Sequence, residues 1–185
     1  MNIIELIIDF LWFAFLIYWF VSSFSSKSYA RRSAAGWGER VLMIIVIVLL
    51  FQIKSVRVFA VGPLFPNIAF ETLGLFIAMA GIAFAIWARI YLGRNWGMPM
   101  SLKKDPELVT SGPYTFVRHP IYTGFILAVL GSAFATTAYW LIIGGFFALY
   151  FIYSSTVEER IMLAQFPNDY PAYVARTKRF IPFIL

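Results

Sequence analysis

IYTGFILAVLGSAFATTAYWLIIGGFFALYFIYSSTV, residues 121–157, carries no charged side chain from end to end. A helix crosses a bilayer with about 20 apolar residues, so this run is too long for one crossing. It weakens around Thr136 to Trp140, and we split it there into a tight helical hairpin. Working outward, Ile68 to Leu92 forms another span. Val41 to about Val61 forms one that Lys54 and Arg57 interrupt, and Ile3 to Phe24 forms the first. The expected architecture is an all-α integral membrane protein of about five transmembrane helices. It is a single transmembrane domain over residues 1–185, with three helices in 1–92 and the hairpin and tail in 93–185. No basic residue precedes Ile3 and no small-residue cleavage site follows the first segment, so it is read as a retained span.

Composition agrees. Hydrophobic residues make up 61% of the 185-residue chain and charged ones 13%, against about 45–50% apolar content in soluble domains. Cysteine is absent, which excludes disulfides and thiolate chemistry. A single histidine and few carboxylates leave no expected metal site. The net charge of +6 falls in clusters between spans, which reads as topology and not as nucleic-acid binding. Lys27, Arg31, Arg32 and Arg40 occupy the first loop, Arg94, Lys103, Lys104 and Arg118 the third, and Arg160, Arg176, Lys178 and Arg179 the tail. The positive-inside rule then puts the N-terminus outside and the third loop and tail in the cytoplasm. Compactness and the lack of targeting signals point to a prokaryotic inner membrane.

Trp12, Trp19, Trp87, Trp96 and Trp140 fall near expected span ends and read as interfacial anchors. Glu5 and Asp9 read as solvated acids at the outer end of the first span. No internal repeat, heptad or low-complexity tract stands out.

The loop from Gly93 to Pro120 is long, has no obvious helix or strand, and is too rich in Tyr, Phe, Leu and Val for disorder. It is expected to fold over the cytoplasmic mouth. ELVTSGPY reads as an extended piece turning at Ser111 and Gly112, with backbone groups available to a polar ligand. In RHPIYTG, Pro120 suits the first helical position, with His119 at the cap, Tyr122 in the first turn, and Gly124 admitting a close neighbour. Continuing the last span carries Glu158 and Glu159 past the hydrocarbon. Adjacent helical residues diverge by about 100°, so only one faces inward. Glu158 shares a stripe with Ser154, Ser155 and Met162 and is taken as the inward one, leaving Glu159 to pair with a nearby base. In the tail, Asn168 or Asp169 caps a short helix with Pro171 just inside it, and Tyr170 and Tyr173 are placed to close a lid. Arg89, about a turn from the cytoplasmic end of its span, is a candidate for binding an anion. Arg89 and Glu159 are the candidate catalytic residues.

LVTSGPYTFVRHPIYTG followed by VEERIMLAQFPNDYPAYVARTKRFIP resembles the isoprenylcysteine carboxyl methyltransferase family of integral membrane enzymes, over about Leu92 to Pro182. The resemblance implies an S-adenosylmethionine-dependent methyltransferase with its cofactor in a pocket covered by loop and tail. It implies cofactor contacts at Leu108 and Val109 through their backbone, and at Tyr114, His119, Pro120, Ile121, Tyr122 and Glu158. The resemblance also implies a lipophilic or small methyl acceptor, either the carboxylate of a prenylated cysteine or a thiol. It is expected to react by direct displacement in a dry pocket that needs no dedicated base. Two positions depart from the family pattern. Ser154 stands where its carboxyl methyltransferases place an arginine, with Arg89 and Arg94 as candidate replacements, and Pro167 replaces a glycine. Two other readings are an NADPH-dependent sterol-type reductase of the same superfamily, and a non-catalytic membrane scaffold or small transporter.

Overall fold

The structure, a computed structural model, describes residues 2–31, 64–97 and 100–182. The expected span from Val41 to about Val61 lies outside the described residues. Among the described residues are four long or medium helices: α1 (Ile3–Ser23), α2 (Ile68–Leu92), α3 (Pro120–Ala135) and α4 (Tyr139–Gln165). A short α5 (Tyr170–Arg176) follows. The third loop is less featureless than expected. It contains single 3-10 turns at Gly93–Asn95 and Gly112–Thr115, and Leu102–Lys103 (β2) pairs antiparallel with Tyr29–Arg31 (β1).

α1, α2 and α4 are long and apolar enough to cross a membrane. α3 has 16 residues and rises about 24 Å, short of the roughly 30 Å hydrocarbon core. The polar break lies where it was read. Thr136 Oγ1 donates to the Ser132 carbonyl at 2.8 Å, and the Tyr139 amide donates to Thr137 Oγ1 at 3.3 Å. Threonine hydroxyls thus serve backbone groups that lipid cannot satisfy.

α1 and α2 run parallel. At one end, Asn2 Nδ2 donates to Glu71 Oε2 at 3.0 Å; at the other, Arg89 reaches the last turn of α1. Glu5 is more than a solvated acid, because its carboxylate accepts from the Asn2 amide in a capping box.

α2 and α3 pack antiparallel along a seam of small residues. Gly74, Ala78, Gly81 and Ala85 face Ala135, Gly131, Ala128 and Gly124. A Cβ on Gly131 would lie 2.3 Å from the Ala78 nitrogen, and one on Gly81 would lie 2.4 Å from the Ala128 nitrogen. Small residues let backbones approach where lipid offers no hydrophobic drive to association. The small residues fall at a 4-3-4 spacing in both helices. It was hidden because every residue around it is also apolar, so the contrast is one of size and not of polarity.

Three tryptophans also depart from the interfacial reading. Trp12 is buried, donates its indole hydrogen to Ser132 Oγ at 2.9 Å, and stacks on buried Trp140 with centroids 5.1 Å apart. Trp96 is buried edge-on to Trp19. A buried indole needs an acceptor, and α3 supplies one for Trp12. Trp87 remains partly exposed.

Candidate active site

The entrance to α3 sets the first side of the site. Pro120 occupies the first turn, where a missing amide hydrogen costs nothing, and His119 is the cap residue but makes no side-chain capping bond. Its ring instead lies parallel to Tyr122 at 5.4 Å, and Tyr122 lies parallel to Phe151 of α4 at 4.2 Å. This stack fixes the plane of the imidazole. Its edge reaches both acids of α4, with Nδ1 3.6 Å from Glu158 Oε2 and Nε2 3.3 Å from Glu159 Oε1.

The two carboxylates diverge as the helical geometry requires. Glu158 Oε1 accepts from Tyr122 Oη at 2.5 Å, from Ser154 Oγ at 2.8 Å and from the Met100 amide at 3.3 Å. Among the described residues, Oε2 receives no hydrogen bond, and the side chain stays 25% exposed. Glu159 faces cations: Arg118 Nε donates to it at 2.9 Å and Arg179 Nη2 at 2.7 Å. Arg118 also donates to the Thr177 carbonyl. The opposing roles of the acidic pair therefore follow the expectation that one faces inward while the other pairs with a base.

Loop and tail are strapped together across this cluster. Val117 bridges to Lys178 in parallel, the Arg118 amide donates to the Lys178 carbonyl at 2.8 Å, and the His119 amide donates to the Arg179 carbonyl at 3.1 Å. Thr123 Oγ1 donates to the Phe180 carbonyl at 2.8 Å. α5 begins after Asp169 with Pro171 in its first turn, and it buries Tyr170 and Tyr173. Burial pushes the Tyr173 phenol up to about 12 and raises Tyr114 and Tyr170 as well, so all three remain protonated at neutral pH.

Gly112 turns the loop at φ +59°, and a Cβ there would lie 2.4 Å from the Tyr91 ring; only glycine meets both demands. Leu108 and Val109 lie half-buried just before this turn. Among the described residues, none hydrogen-bonds to their backbone amides. Tyr114 and Pro120 are buried and Ile121 half-buried.

The sequence-derived residues His119, Tyr122 and Glu158 come into direct contact, and Tyr114 joins them through the tail. Arg89 stands differently. Its Nη2 donates to the Ser22 carbonyl at 2.6 Å and its Nη1 to the Gly93 carbonyl at 2.8 Å, with the guanidinium 4.7 Å from the Trp96 ring centroid. It is 2% exposed, and among the described residues its Nε has no partner. Sequence reasoning gave Met100 no role and read Arg179 only as a basic residue of the tail, without identifying it as a partner of Glu159. It placed Ser154 on the inward stripe without its bond to Glu158, although an i, i+4 spacing carries that signal.

A family model described as "Phospholipid methyltransferase" matches residues 70–169, just over half of the chain. The chain is 33% identical over 114 residues to the cobalt-zinc-cadmium resistance protein CzcN of Cupriavidus metallidurans, covering 58% of this chain and 49% of the relative. It is 33% identical over 78 residues to methanethiol S-methyltransferase 1 of Bradyrhizobium diazoefficiens, covering 42% and 27%. It is 30% identical over 105 residues to the protein-S-isoprenylcysteine O-methyltransferase of Schizosaccharomyces pombe, covering 52% and 43%. The chain thus spans about half the length, or less, of these curated relatives.

Proposed function

Because the chain belongs to the phospholipid methyltransferase family, we propose that it is a membrane-embedded methyltransferase. It moves a methyl group from S-adenosylmethionine to a lipophilic or small acceptor. The observation that carries the reading is the approach of His119 Nδ1 to Glu158 Oε2, at 3.6 Å, beneath a loop and tail bound to each other.

The residues suit such a cofactor. Glu158 keeps one oxygen without a hydrogen bond among the described residues and is partly exposed, which matches a ligand bearing positive charge and hydroxyl or amine donors. Backbone amides at Leu108 and Val109 supply donors, and Tyr114, Pro120, Ile121 and Tyr122 supply apolar and aromatic walls. We assign these six residues, with His119 and Glu158, to cofactor binding. Bound there, S-adenosylmethionine supplies a methyl group on a positively charged sulfur. The chain's own part is to hold donor and acceptor in line and exclude water, which is enough for a displacement that neutralises charge.

Arg89 and Glu159 we assign to positioning, since Nη1 and Nη2 of Arg89 are committed to helix ends and the Glu159 carboxylate to the two arginines. Ser154, buried and bonded to Glu158, brings no cation to the place where the resembling carboxyl methyltransferases carry arginine. That favours a thiol over the carboxylate of a prenylated cysteine. The site end faces the cytoplasm of a prokaryotic inner membrane in this reading, because Arg94, Arg118, Arg176, Lys178 and Arg179 gather there.

A transfer screen with radiolabelled S-adenosylmethionine against small thiols, a prenylated cysteine and extracted lipids tests the reading. Label should pass to one acceptor class. Thermal stabilisation of the purified protein by NADPH, with none by S-adenosylhomocysteine, would turn the assignment to a reductase.

A further inference from the structure

His119 is the sole histidine of the chain, and both of its ring nitrogens face carboxylates. A neutral imidazole has one donor and one acceptor nitrogen, and which is which decides what the ring offers a ligand. The surroundings of Glu159 make the choice. Its Oε1 accepts from Arg118 Nε at 2.9 Å and from Arg179 Nε at 3.2 Å, and its Oε2 accepts from Arg179 Nη2 at 2.7 Å. Paired with two guanidinium groups, this carboxylate has only lone pairs to offer, so the nitrogen 3.3 Å away must be the one bearing hydrogen.

We propose that Glu159 is a positioning residue that sets the tautomer of His119, holding the proton on Nε2 and leaving Nδ1 as an acceptor beside Glu158. The 3.6 Å between Nδ1 and Glu158 Oε2 is beyond a normal N–H···O bond. Two acceptors then stand side by side at the site, and together they receive a ligand group carrying N–H or O–H donors. The Tyr122 stack holds the ring plane, while Arg118 and Arg179 hold Glu159, so loop and tail both act on the imidazole through one carboxylate. The role of the slot rests on the cofactor reading above; the tautomer does not.

Labelling with 15N-histidine gives one imidazole pair in the NMR spectrum. In the ligand-free wild-type protein at alkaline pH, where free imidazole is neutral, the expected signature is protonated Nε2 and unprotonated Nδ1. A protonated Nδ1, or a ring protonated on both nitrogens, overturns the proposal even if S-adenosylhomocysteine binds. In Glu159→Ala the tautomer should redistribute toward Nδ1–H and the Kd for S-adenosylhomocysteine should rise at least tenfold. An unchanged tautomer in that variant also overturns the proposal. Should Glu159→Ala not fold, the wild-type spectrum still decides. Wild-type protein that shows the Nε2–H form but binds no S-adenosylhomocysteine keeps the tautomer assignment and removes the methyltransferase reading instead.

Discussion

Tyr173 of the tail donates its phenolic hydrogen to the backbone carbonyl of Tyr114 in the loop, at 2.8 Å and out of contact with water. These residues lie 59 apart in the chain, and their bond joins the two segments that cover His119 and Glu158. A buried carbonyl that loses its donor carries the desolvation cost alone.

Tyr173→Phe should therefore cost about 1 to 2 kcal/mol of stability and expose the tail first. Limited proteolysis should cut after Arg176, Lys178 or Arg179 faster in the variant, with the helices still intact. Equal cleavage rates would show that the remaining bonds to the tail hold it without this one.

The same phenol gives an alkaline limit. Burial, partly offset by Arg118 and Arg176, raises it to about 12 from an ordinary value of about 10. A raised acid is stabilising in its protonated form, so the contribution is complete below about pH 10 and is lost as pH climbs toward 12. Tail release followed by proteolysis should rise in that window. Tyr173→Phe should lose this component of the pH dependence.

Glu158→Gln and His119→Ala should each weaken S-adenosylhomocysteine binding at least tenfold, about 1.4 kcal/mol, in titration calorimetry. The glutamine keeps an oxygen for Tyr122 and Ser154, so its melting temperature should move little. Affinity unchanged in both variants would remove these residues from the cofactor site.

Along the seam, Gly131→Leu should separate α2 from α3 and destabilise by about 3 kcal/mol, because its Cβ alone would come within 2.3 Å of the Ala78 nitrogen. Gly145 of α4 has nothing within 4 Å of a built Cβ. Gly145→Ala should be neutral or gain up to about 1 kcal/mol. Denaturant titration of both variants in micelles checks the contrast.

Arg89 bonds to carbonyls at the C-terminal ends of α1 and α2, where positive charge is favoured by the helix dipole. Arg89→Ala should cost about 3 kcal/mol, while methyl transfer falls only with the folded fraction. A larger drop in kcat/KM for the acceptor would assign the guanidinium to substrate instead.

Much of this was legible in the chain. Ile68–Leu92 follows from its apolar run, and the helix has those bounds, with Asn67 capping one end and Gly93 ending the other. Pro120 fixed the start of α3, and the threonine pair fixed the hairpin. The divergence of Glu158 from Glu159 followed from helical geometry alone. Such features are local: an apolar run, a proline, an angle per residue. The depth of Trp12, the meeting of Gly81 with Ala128, and the capture of Arg179 by Glu159 were not legible. In a sequence this uniformly apolar, hydrophobic patterning cannot say which faces pair, so helix size-matching and tail docking were decided only when the backbones packed. Those contacts place an imidazole between the two acids and two arginines against Glu159.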